Sequence, residues 1–389
     1  MKAKKRFFGF SQNVFILSIV SFLNDIGGET IKKAIPLFLT NVLGAPLSIV
    51  GLIEGVGESA PQIFQPLSGF YSDKLKKRKP FVLFGQALRS VIVVLFFVVS
   101  WPQVLIIRFL DRTGKGISNA PRDALISLSA KDSTKGRAFG LNRTLDNAGA
   151  VIGLALAGLI VLLSQKGNLL LEKQTFAKIV MLAAIPLVFS FVLIFLFIKD
   201  KDHHKVSNLS FSTKFSKKFY QFLLISFLFT LGNSSDGFLI LRAQNIGVGL
   251  VAIFFLLSFY NLVSSLFALP AGSFSDRVGR KKILILGWLF YALTYFGFGK
   301  LNSAWAVIPL FLLYGVYFGL TEGVAKAYVA DLVPEEKRGT AFGIYNMTIG
   351  LTLLPASFLA GILWQSISPR APFYFGAVMA GLASTGLLM

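Results

Sequence analysis

Apolar runs of about twenty residues recur from one end of this 389-residue sequence to the other. As a helix rising 1.5 Å per residue, each run is long enough to cross roughly 30 Å of hydrocarbon. One soluble core could not bury so many. Composition agrees: mean hydropathy is +0.69, there are 40 Phe, and only 15% of residues are charged, against about a quarter in a soluble domain. The expected fold is therefore an all-α integral membrane protein. Twelve spans are expected, near 13–42, 46–72, 80–100, 102–125, 138–164, 174–198, 217–243, 247–273, 281–299, 303–330, 340–365 and 370–389. The N-terminal MKAKKRFFGF runs into the first span without a small-residue cleavage site, so it reads as a retained first helix.

The formal charge of +21 would suit nucleic acid if it lay on one folded soluble face. It lies instead in short gaps between apolar runs, and no nucleic-acid partner is expected. Lys2, Lys4, Lys5 and Arg6 precede the first span; Lys74, Lys76, Lys77, Arg78 and Lys79 follow the second; Lys131, Lys135 and Arg137 follow the fourth. Arg277, Arg280, Lys281 and Lys282 follow the eighth, and Lys337 and Arg338 the tenth. NVLGAPLS, WPQ and QNIGVG on the opposite side carry no charge, and Lys166 and Lys173 make only the fifth-to-sixth gap modestly basic there. Positive loops stay in the cytoplasm, so both termini are expected inside, at the plasma (cytoplasmic or inner) membrane. Absence of cysteine removes disulfides and thiolate metal sites.

The chain also repeats. GFYSD at 69–73 matches GSFSD at 272–276, and GRAFG at 136–140 matches GTAFG at 339–343, each displaced by 203 positions. Gly116 and Gly319 keep the same displacement. Six spans per half make the repeat parallel, about an axis along the membrane normal. Two facing six-helix bundles follow, 1–198 and 217–389, joined by a polar cytoplasmic loop at 199–216 that holds His203 and His204, read as solvated rather than as metal ligands.

On these residues the chain resembles the major facilitator superfamily along essentially its whole length. That family carries Gly-x-x-x-Asp-Arg-x-Gly-Arg-Arg/Lys between its second and third helices. Gly272, Asp276, Arg277, Gly279, Arg280 and Lys281 match it fully; the first copy keeps Gly69 and Asp73, has Lys77 and Arg78 as the basic pair, and places Lys76 where the second glycine belongs. The resemblance implies a secondary transporter in which Asp73 and Asp276 cap a neighbouring helix and hold the bundles together when the outside is open. The lysines have a plainer reading as topology signals, and Gly69 as close helix packing.

A charge near mid-bilayer costs at least about 2.5–3.5 kcal/mol, so it needs a partner or a task. The first half holds many: Asp25, Glu29, Lys32 and Lys33; Glu54 and Glu58; Arg108, Asp111, Arg112 and Lys115; Arg143 and Asp146. The second has Asp236, Glu322 and Lys326. At the repeat displacement Glu58 becomes Asn261, Arg108 becomes Phe311, Arg112 becomes Gly315 and Lys115 becomes Phe318, so the first half is specialised for charge. Helix rise places Asp25, Glu58 and Arg112 near the midplane, with Glu29, Glu54 and Arg108 in a second tier nearer the outside. An adjacent cation favours an ionised carboxylate and burial disfavours it, which is how a proton site can follow alternating access. Mutual pairing into structural salt bridges is the competing reading.

By resemblance, Arg108 sits at the family's fourth-helix arginine, which promotes proton release. Here, however, Asp111 and Arg112 replace the usual Gln-Gly and only Gly114 is kept, which leaves Arg112 as an alternative. DNAGAVIGLALAG at 146–158 resembles the family's antiporter helix, with Leu154 at its proline and Ala157–Gly158 at its glycine pair; the spacing of Gly149, Gly153 and Ala157 is also ordinary close packing. Asn233, Ser234, Ser235 and Asp236 make a polar face suited to a hydrophilic ligand, or merely one that hydrates a cavity. Glu322 and Lys326, one turn apart, read as a neutralising pair.

The expected function is proton-coupled antiport, with efflux of a small organic molecule by alternating access. Symport or facilitated uptake of a polar or charged nutrient is the alternative, and divalent-metal export through Asp25, Glu29, Glu54 and Glu58 a weaker one. HExxH, GxSxG and P-loop patterns are missing from the sequence, so neither an enzyme nor an ATP-driven pump is expected. A receptor or scaffold is the reading outside that class. No cofactor beyond the proton gradient and no metal site are expected; the partners are substrate, protons and lipid, and the chain is expected to act as a monomer.

Overall fold

The computed structural model describes residues 6–7, 9–130, 134–165, 169–200, 215–334 and 337–388. Most of the central loop, with His203 and His204, and the cations Lys2, Lys4, Lys5, Lys131 and Lys166 lie outside them. The described residues form thirteen α-helices: α1 Gln12–Asn41, α2 Leu47–Lys74, α3 Lys79–Ser90, α4 Trp101–Ser129, α5 Lys135–Ser164, α6 Lys173–Phe197, α7 Lys217–Gly232, α8 Asp236–Asn245, α9 Leu250–Val278, α10 Arg280–Lys300, α11 Val307–Asp331, α12 Arg338–Ser366 and α13 Ala371–Leu388. A two-residue hairpin, Arg6–Phe7 with Phe10–Ser11, precedes α1.

Ten helical segments are long and apolar enough to cross a bilayer. Helices α2 and α4, of 28 and 29 residues, are as long but less apolar, and complete twelve passes. The third pass continues α3 as a 3₁₀ segment, Val91–Phe97. The seventh is not one helix: α7 stops at Gly232 and α8 starts at Asp236. Local chemistry sets several ends. Gln103 Oε1 accepts from the Val99 and Ser100 amides before α4, at 3.0 and 3.2 Å, and Asp200 accepts from the Arg78 and Lys79 amides at the start of α3. These bonds satisfy amides at or just before a helix start, which have no intrahelical partner.

Contacts divide the chain into two compact units, and the division is not that of the sequence repeat. Unit 1 is Met1–Ala34, Ala60–Ser164 and Glu172–Asn208; unit 2 is Ile35–Ser59, Gln165–Leu171 and Leu209–Met389. Within unit 1, Gly149 and Gly153 of α5 lie against the Phe22 and Ile26 carbonyls of α1, where a side chain would collide. Close packing thus accounts for that small-residue stripe. Gly85 of α3 and Gly114 of α4 face each other's carbonyls in the same way, which brings the polar faces of these two helices together.

The duplicated loop motif closes differently in its two copies. In unit 1 Asp73 pairs with Arg78, and Gly69 lies 3.3 Å (measured from an added Cβ) from the Ala120 Cβ. In unit 2 Asp276 accepts from Arg280 Nη2 at 3.1 Å, and Arg280 Nη1 also reaches Asp331 and the Ala327 carbonyl. Asp276 and Arg277 are exposed, and nothing crowds Gly272. Gly279 takes φ +104 between α9 and α10, and Lys76, at the matching position, takes φ +53. The turn persists although the residue that favours it does not, and Lys76 bears the cost of a left-handed backbone.

Candidate functional site

Helix α4 supplies six ionisable residues in 29, and α1, α3 and α5 bring others to them in unit 1. Asp111 lies between two arginines, 3.7 Å from Arg89 Nε and 3.8 Å from Arg108 Nη1. Arg108 and Asp111 are each 1% exposed and Arg89 3%. A second set lies closer to solvent: Lys115 Nζ is 3.6 Å from Glu29 Oε1, with 21% and 17% of the two side chains exposed. Lys32, Lys33 and Arg112 also act on Glu29 electrostatically. Asp25, partly buried, lies in the field of Lys115, Asp146, Glu29 and Arg89. Asp146 accepts from Asn142 Nδ2 at 3.2 Å, and Asn142 Oδ1 in turn accepts from the Ser21 hydroxyl at 2.9 Å. Arg143, on the same helix, is exposed.

The two candidate arginines are both buried, at 1% and 4% exposure, but have different nearest charges. Arg108 belongs to the dry Arg89–Asp111 set, whereas Arg112 acts on Glu29 and Lys115. The expected second tier of Glu29, Glu54 and Arg108 resolves into three sets of partners: Glu29 with Lys115, Arg108 with Asp111, and Glu54 with Ser235.

In unit 2 the polar site is built around the break in the seventh pass. Ending α7 at Gly232 exposes backbone groups that lipid could not satisfy. Tyr291 donates to the Gly232 carbonyl at 2.9 Å, and Tyr295 to that of Ser234 at 3.5 Å. Asp236 opens α8 and accepts from the Tyr314 hydroxyl at 2.6 Å. Ser235 caps α8 by accepting from the Gly237 amide, and donates its own proton to Glu54 at 2.6 Å. Asn233, Asp236, Glu58 and Asn261 are partly buried, and the Asn261 amide donates to the Leu257 carbonyl at 2.9 Å. Lys326 pairs with Glu322 at 3.8 Å, as expected of that turn.

Sequence reasoning passed over Arg89 and the tyrosines. Arg89 had a signal, as the one charge within the apolar run 81–100. So did Tyr291 with Tyr295 and Tyr314 with Tyr317, four and three residues apart inside spans. Tyr314 occupies the repeat position of Asp111, so the buried carboxylate of the first half is matched by an aromatic hydroxyl in the second. Among the described residues, no three Asp, Glu, His or Cys side chains come together as metal ligands.

A model of the Major Facilitator Superfamily matches residues 17–240 and 222–389. An uncharacterised MFS-type transporter of Methanocaldococcus jannaschii is 38% identical over 389 residues, spanning 97% of this chain and 94% of that protein. The class E tetracycline resistance protein of Escherichia coli is 33% identical over 141 residues, 36% of this chain and 33% of that protein. A crystal structure of a POT family transporter in complex with 5-aminolevulinic acid superposes with a TM-score of 0.82 over 99% of this chain and 97% of that one, at 14% identity, a likeness of fold alone. With twelve helical passes, a duplicated loop motif and these matches along its length, the chain is an integral membrane transporter, not an enzyme, and belongs to the Major Facilitator Superfamily.

Proposed function

We propose that this transporter exports a small organic molecule in exchange for protons by alternating access, as a monomer in the cytoplasmic membrane with both termini inside. The observation that carries the reading is the half-buried set of Asp25, Glu29 and Lys115, with Arg112 acting on it. A carboxylate beside cations inside a membrane takes up or releases a proton when a substrate or a conformational change alters its solvation and its charged neighbours. The Arg89–Asp111–Arg108 set is assigned to structure, and Arg112, whose charge acts on Glu29 and Lys115, to proton release. The partial likeness to a tetracycline resistance protein supports export.

In proteoliposomes, an imposed pH gradient is expected to drive accumulation of a substrate found by thermal-shift screening. Asp25→Asn or Glu29→Gln is expected to abolish that dependence while leaving substrate exchange. Coupling that survives both substitutions overturns the assignment. Symport of a charged nutrient would use the same carboxylates, and the sign of the accumulating gradient separates the two.

A further inference from the structure

The ends of α1 and α2 that adjoin the loop between them group with unit 2, and the packing there explains why. Along α2, a side chain at Gly51 would strike the Ser357 carbonyl of α12, and one at Gly55 the Leu354 backbone. From the other side, one at Gly361 would strike the Leu47 carbonyl. Glycines at this spacing let two helices touch backbone to backbone. Ser48 closes the top of the seam, its hydroxyl donating to Gln365 Oε1 at 3.0 Å. At the bottom lies Glu54, 1% exposed, which accepts from Ser235 at 2.6 Å. The Ser235 amide donates to Ser357 Oγ at 3.1 Å, and Gly237 leaves room for Pro36 and Glu54 beside α8.

These contacts join spans one and two of the first repeat to spans seven and eleven of the second, so any movement of one repeat against the other must part them. At its glycines the seam is backbone against backbone, over about 12 Å of α2. Its charged tie is Glu54, and that tie ends on the break in the seventh pass, where α8 is not continuous with α7. We infer that Glu54, through Ser235, is the latch that holds this glycine seam closed. The inference rests on the alternating-access reading, and assigns to Glu54 a positioning role in closure.

The test uses the full chain in native membranes, where the lack of cysteine gives a clean background. Val50→Cys, one helical turn before Glu54 on α2 and 0% exposed, places a thiol that is covered while the seam is closed, and a membrane-impermeant maleimide reads its exposure. With Glu54 present, labelling is expected to be slow. Glu54→Ala or Ser235→Ala is expected to speed it about ten- to a hundredfold, the range for a lost charge-assisted bond. Gly55→Leu, which obstructs closure, is expected to give full labelling, and Ser235→Ala serves if that variant does not fold. Labelling within twofold of the parent in both alanine variants overturns the latch. The readout uses no proton gradient: a failed pH-driven transport assay with intact labelling changes sinks the antiport reading alone, and unchanged labelling in an active transporter sinks the latch alone.

Discussion

Replacing Asp111 by asparagine tests whether the driest charges are structural. The side chain keeps its shape and loses only its charge, so packing is conserved. In the parent, its carboxylate faces Arg89 at 3.7 Å and Arg108 at 3.8 Å, with all three residues at most 3% exposed. At an effective dielectric of 20, each attraction is about 4.4 kcal/mol. Most of it is offset by the desolvation that all three groups have already undergone. Removing the shared partner leaves two arginines inside a membrane without it, and breaking a buried pair in this way costs about 3–5 kcal/mol. Equilibrium unfolding in mixed micelles is expected to show that loss for Asp111→Asn. Adding Arg89→Gln is expected to recover part of it, because the double variant removes one of the stranded charges, and the two effects should be non-additive. A single variant within about 1 kcal/mol of the parent would refute the reasoning, as would a double variant that loses the sum of the singles.

Three further substitutions probe packing and backbone. Lys76→Gly is expected to stabilise by about 0.5–1 kcal/mol in the same unfolding assay, since its φ of +53 is left-handed; Lys76→Val should destabilise. Gly153→Leu would drive a side chain into the Ile26 carbonyl of α1, and loss of monodisperse protein on size exclusion is the expected outcome, the cost exceeding the roughly 1–3 kcal/mol of ordinary overpacking. Tyr291→Phe removes the donor that satisfies the Gly232 carbonyl at the helix break, with an expected loss of about 1–3 kcal/mol.

Much of the architecture is legible along the chain because lipid imposes a local rule: each pass must be apolar over a fixed length. That rule gave the number of passes, and the displacement of 203 gave the duplication without any contact being known. Helix geometry is a local rule as well. Glu322 with Lys326 could be paired for the same reason, since a single helix turn fixes their separation.

Partners on different helices were not legible. Several carboxylates and cations of the first half are expected at similar heights from helix rise alone, and which of them meet depends on how each helix is rotated and how near its neighbour comes. Gly85 against Gly114 decides that Arg89 reaches Asp111, and no spacing within either helix encodes that approach. The break at Asn233–Ser235 was half legible: Asn233, Ser234, Ser235 and Asp236 stand out as polar, but a polar helix face and an interrupted helix read alike along the chain. It persists because tyrosines from another helix accept the task of satisfying the freed carbonyls. The sequence by itself determined a twelve-pass duplicated transporter; the tertiary structure decided which charges share partners and where a helix can stop, since both depend on neighbours that are distant in the chain.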